Sequence, residues 1–96
     1  MDIHFLTTGR VPEDARTFAE AAVRAALTDT RASAVSVRGT LSLAADTSLP
    51  RPALAQAIAT LDGRALRVQA AAPTVGEAIA LLQERLTVRV AYLRAS

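Results

Sequence analysis

Between Ala55 and Leu93 the chain reads as a hairpin that feeds directly into a capped amphipathic helix. Ala57, Ala59 and Leu61 alternate with Ile58 and Thr60. Asp62-Gly63 turns the chain, and Leu66, Val68 and Ala70 then alternate with Arg67 and Gln69. Asp-Gly between two alternating runs points to a type I′ turn, because both central residues need positive φ. A two-residue turn sets the register, with Leu61 opposite Arg64, Ala59 opposite Leu66 and Ala57 opposite Val68 on one dry face. Thr60, Ile58 and Gln56 then meet Ala65, Arg67 and Gln69 on the wet face, where Leu54 also falls. The dry face is small, which lets a helix approach closely. Thr74-Val75-Gly76-Glu77 has capping-box spacing and opens that helix, which is expected to run from Val75 to about Leu93. Its core stripe is Val75, Ile79, Leu82, Leu86 and Leu93, with Arg89 at the edge. A second ridge of Leu81, Arg85, Val88 and Tyr92 lies to one side, where it packs on the first helix or meets a partner; packing is the commoner arrangement.

Upstream, Ile3, Phe5 and Thr7 alternate with His4, Leu6 and Thr8, which predicts a short, largely buried strand ending at Gly9. Pro12 suits the first position of a helix running to about Leu27, and Glu13 and Asp14 complement its positive end. The apolar set of this helix is Ala15, Phe18, Ala22, Val23, Ala26 and Leu27. Arg16, Glu20 and Arg24 follow at i, i+4 spacing on another face. Thr28 to Ser33 is a polar linker. From Ala34 to Ala45 the chain alternates again, with Val35, Val37, Leu41 and Leu43 on a dry face and Ser36, Arg38, Thr40 and Ser42 on a wet one. Gly39 falls on the dry face, which predicts a bulge or a large neighbour above it. Asp46 to Pro52, with two prolines, is a loop.

The order is therefore β-α-β-β-β-α, an α+β fold. A crossover makes the first two strands parallel, and the other neighbours follow as antiparallel. The expectation is one domain over residues 1–96: a four-stranded mixed sheet with both helices packed on one face. Phe18, Leu82 and Leu86 are expected among the most buried side chains.

The chemistry of the side chains excludes several classes. There is no Cys, and His4 is the only histidine, so no zinc spacing can be written and no metal or cofactor is expected. No Ser-His-Asp set and no glycine-rich phosphate loop is present, so no catalytic residues are assigned and an enzyme is not expected. No apolar run approaches the roughly 18 residues that span a membrane, and Met1-Asp2-Ile3-His4 lacks the pattern of a signal peptide. A cytoplasmic protein with no membrane partner is expected. All eleven basic residues are Arg, and the net charge is only +2. Arginine offers a planar fork of donors that matches phosphate oxygens, so any nucleic-acid site must be a local cluster.

The ordered set Asp62-Gly63, Leu66, Ala70, Ala78-Ile79, Leu82, Arg85 and Leu86, with Val11, Glu13, Arg16 and Phe18 at the opening of the first helix, resembles a known family. It is that of the ribosome hibernation-promoting factors and ribosome-associated translation inhibitors, also called the sigma-54 modulation protein family. The similarity covers nearly the whole chain and is weakest at residues 45–53. The resemblance implies either a short member of the family or the N-terminal domain of a long one, and the length matches a short member. The resemblance implies a bacterial protein that binds rRNA of the small ribosomal subunit near the mRNA and tRNA channel and silences translation during stress or stationary phase. It implies that basic residues on the helices contact rRNA phosphates, here Arg16, Arg24, Arg85, Arg89 and Arg94. The chain departs from the family in carrying few basic residues on its helices, with Glu20 and Glu84 among them.

Two other readings stay open at this level. The first is a protein-interaction or dimerisation module that keeps the fold without strong rRNA binding, using the Leu81-Val88-Tyr92 ridge, the wet sheet face with Leu54 and Ile58, or a homodimer through a sheet edge. The second is a different RNA binder stacking bases on its sheet, for which the chain supplies only Phe5, Phe18 and Tyr92.

Overall fold

Asp62 and Gly63 both take positive φ, 49° and 84°, and the type I′ turn forms where two alternating runs require it. The strands it joins, β3 (Ala53–Leu61) and β4 (Arg64–Ala72), pair antiparallel with Leu61 opposite Arg64, Ala59 opposite Leu66 and Ala57 opposite Val68. Ala59 and Leu66 are buried, whereas Ile58 and Arg67 are exposed on the opposite face, as the turn dictates. The computed structural model describes residues 1–28, 30–46 and 48–95, the last two by backbone alone. Asp29 of the predicted linker and Thr47 of the predicted loop lie outside the described residues.

Upstream of the hairpin stand β1 (Asp2–Gly9), α1 (Ala15–Ala26) and β2 (Val35–Leu43), and α2 (Val75–Ala95) closes the chain. The sheet order is β1-β2-β3-β4, with β1 and β2 parallel and the other neighbours antiparallel. Every strand buries only one parity of its residues. Ile3 and Phe5, Val37 and Leu41, Ala53 to Leu61 at alternate positions, and Leu66 to Ala72 likewise all turn to the same side. Both helices lie there, α1 over β1 and against α2, and α2 over β3 and β4. The four inward alanines of β3 leave room for Ile79, Leu82 and Leu86, each no more than 1% exposed.

Gly39 shows why a strand can need a glycine. The β1–β2 register passes through it without a bulge, and its parallel partner is Phe5. A Cβ at position 39 would overlap the Phe5 ring, lying 2.6 Å from its Cζ. The missing side chain is the space the ring fills, and Phe5 is 2% exposed.

The other end of β2 is tied to the hairpin. The Asp62 carboxylate accepts from the Ser33 and Ala34 amides at 3.1 and 2.8 Å, and the Asp62 amide donates to the Ala34 carbonyl at 2.9 Å. The turn residue thereby anchors the linker from α1 as it enters the sheet. At the start of α2, Thr74 Oγ1 accepts from the Glu77 amide at 3.2 Å, the N-cap half of the capping box.

Four local expectations are corrected. Phe18 is 54% exposed, and Ala19 is buried in its place. Successive helix residues point about 100° apart, and the α1 stripe is centred on Ala15, Ala19, Ala22 and Val23, small enough to bring the helix close to its neighbours. The first strand is not largely buried: Leu6 is 70% exposed, because among the described residues no element covers the outer face of the sheet. Helix α1 starts at Ala15 rather than Pro12, because the Ala15 amide donates to the Pro12 carbonyl in a separate turn ahead of it. At the far end of α2, Val90 completes the core stripe, and Leu93 is only half-buried.

Candidate nucleic-acid interface

Strand β4 is the last in the sheet, so among the described residues one side of its backbone has no partner strand. In a two-residue hairpin the flanking pair is hydrogen-bonded, and the pattern alternates from there. Residues 64, 66, 68, 70 and 72 therefore turn their amides and carbonyls towards β3, and residues 65, 67, 69 and 71 turn theirs outward. Helix α2 runs over this edge. Arg85 Nη1 donates to the outward carbonyl of Gln69 at 2.6 Å, and Arg89 Nη1 donates to that of Arg67 at 3.4 Å. The geometry is commensurate. Four helix residues advance about 6 Å, and two strand residues about 7 Å.

The two guanidiniums thus stand side by side along the sheet edge. Each uses one N–H on the backbone and keeps its other donors for solvent or a ligand. Between helix and edge lies an open groove of about 610 Å³, lined by Leu81, Glu84, Arg85, Val88, Arg89 and β4. Leu81, Arg85 and Val88 of the second ridge border this groove instead of packing on α1; Leu81 is half-buried, Val88 is 50% exposed, and Tyr92, further along α2, is 72% exposed. Of the two arrangements open to the ridge, packing on the first helix is therefore corrected: Val88 and Tyr92 stay exposed. The core stripe uses the adjoining face of α2, which turns the ridge past the edge of the sheet.

The remaining candidates are placed apart from this pair. Arg16 and Arg24 are exposed on α1, on the other helix of the layer. The Arg94 side chain lies outside the described residues. Among the described residues, none of these arginines forms an ion pair within 4.0 Å, so Glu20 and Glu84 do not neutralise them through contact. His4 pairs with Asp2 at 2.8 Å on the outer face of the sheet, and both side chains are 71% exposed. Among the described residues, no three His, Cys, Asp or Glu side chains converge as a metal site would require. No helix there is long and apolar enough to cross a membrane.

A second basic feature was not assembled from the sequence. The registers align His4, Arg38, Ile58 and Arg67 in one row across the outer face. With Leu6, this row borders a shallow depression of about 530 Å³. Alternation places Arg38, Ile58 and Arg67 on the wet side. Only the long-range β1–β2 and β2–β3 registers show that they line up.

The whole chain has counterparts among solved structures. The N-terminal domain of Protein Y from Thermus thermophilus superposes with a TM-score of 0.75 at 22% identity, covering 94% of this chain and 96% of that one. A ribosomal subunit interface protein from Coxiella burnetii superposes with a TM-score of 0.76 at 15% identity, over the full length of both chains. The fold is the one the sequence resemblance implies. No protein-family model matches the chain, and no curated protein matches it in sequence. At these identities the shared property is the fold: β-α-β-β-β-α, with both helices on one face of a four-stranded sheet.

Proposed function

We propose that this chain associates with the small ribosomal subunit, binds its rRNA near the mRNA and tRNA channel, and silences translation under stress or in stationary phase. It acts as a binding protein, without catalysis or a cofactor, in the cytoplasm. The observation that carries this reading is the end-to-end structural match to a ribosomal subunit interface protein. The arginines supply the chemistry. Arg85 and Arg89 are held at a fixed spacing by backbone carbonyls, which lowers the conformational entropy lost when their free donors take phosphate. Arg16 and Arg24 add charge on the same helical layer, and Arg94 is proposed as a further phosphate contact.

Binding of this kind releases counterions and therefore weakens as salt rises. The test is co-sedimentation with purified small subunits through sucrose gradients at low and high salt. Salt-sensitive co-migration supports the reading, and absence from the subunit fraction at every salt concentration removes it. The exposed Val88 and Tyr92 favour a second reading, a protein-interaction module, and that reading takes over on the negative outcome.

A further inference from the structure

An unpaired strand edge is a template for another strand, and natural sheets cover or charge such edges. On β4 the cover is specific. The two central outward carbonyls, those of Arg67 and Gln69, are the acceptors that an added strand would need, and Arg89 and Arg85 occupy them. We infer that Arg85 and Arg89 keep the β4 edge closed against a second copy of this chain, and that without them two copies pair through β4. This inference is independent of ribosome binding.

The edge fits a second copy for three reasons. An antiparallel pairing about a two-fold axis at Val68 sets Arg67 opposite Gln69 and Ala65 opposite Ala71. All are outward-facing residues, so every hydrogen-bonding group meets its complement. In that register Arg67 faces a neutral amide rather than another Arg67, and no like charges oppose one another across the pair. The partly exposed Leu81 and Val88 lie beside the edge, and the same two-fold brings them towards their counterparts. The closed state costs no buried charge, because both guanidiniums keep contact with water.

The experiment needs no RNA. Wild type, the double variant R85A/R89A and the triple variant R85A/R89A/Q69P are compared by sedimentation equilibrium and amide hydrogen exchange. Proline at position 69 removes an outward N–H while leaving the β3 ladder intact, as edge strands tolerate. Wild type should sediment as a monomer. The double variant should show a concentration-dependent doubling of mass, with exchange of the Arg67 and Gln69 amides slowed at least tenfold at high concentration. The triple variant should return to a monomer. Unchanged circular dichroism in all three keeps folding out of the comparison. A double variant that stays monomeric, or that dimerises without slowing those two amides, overturns the proposal. So does a wild type already dimeric through β4.

Discussion

The Phe5 ring lies over Gly39, its parallel partner in the neighbouring strand, and occupies the volume a side chain there would need. Both positions belong to the layer beneath the helices, so this contact sets how the edge strand β1 joins the core. Gly39→Ala should destabilise the domain by about 1–3 kcal/mol through overpacking. Urea titration measures it. A Phe5→Leu change in the same chain should recover part of the loss, because the two sites share one volume. Additive losses in the double variant would contradict the contact.

The core under α2 is built from large side chains on alanines. Leu82→Ala or Leu86→Ala should each cost about 2–5 kcal/mol, since both are fully buried and the small residues of β3 cannot fill the cavity. Phe18→Ala, by contrast, should cost less than about 1 kcal/mol, because the ring is more than half exposed. Chemical denaturation of the three variants checks the order. A Phe18 loss equal to that of Leu82 would place the ring in the core.

Asp62 combines a left-handed turn position with two amide contacts to the start of β2. Asp62→Ala removes both acceptors and puts a strained residue in the turn, and should cost about 1–3 kcal/mol. Asp62→Asn keeps one acceptor and a side chain that tolerates positive φ, so its loss should be smaller. Thermal unfolding of the pair gives the comparison. Equal midpoints for both variants would dismiss the contribution of the carboxylate.

What could be read from the sequence followed from local rules. Asp62-Gly63 fixes its own register, and Ile58 and Arg67 land on the outer face as the period of two demands. Leu82 and Leu86 follow from helical spacing. Phe18 did not, because volume alone does not say which side of a small-residue helix meets the sheet. Ala19 wins because it lets the helix come close. The bonds from Arg85 and Arg89 to β4 join residues 16 and 22 positions apart and depend on how α2 lies over the edge. No local pattern carries that information: helical spacing puts Arg85 on the second ridge and Arg89 at the edge of the core stripe, and only the lie of α2 brings both to β4. The alignment of His4, Arg38 and Arg67 was likewise hidden until the long-range registers were known.

The central claim is that fixed arginines on the helical layer bind rRNA phosphate on the small ribosomal subunit. The most direct test measures binding of the chain to purified small subunits across a salt series, for wild type and R85A/R89A, below the concentration at which the variant self-associates. Binding by wild type should fall linearly on logarithmic axes. The double variant should bind more weakly, with a slope shallower by about 1.4–1.8, the contribution of two phosphate contacts. A wild type that never migrates with the subunit, or a double variant whose affinity and salt slope match those of wild type, would contradict the account.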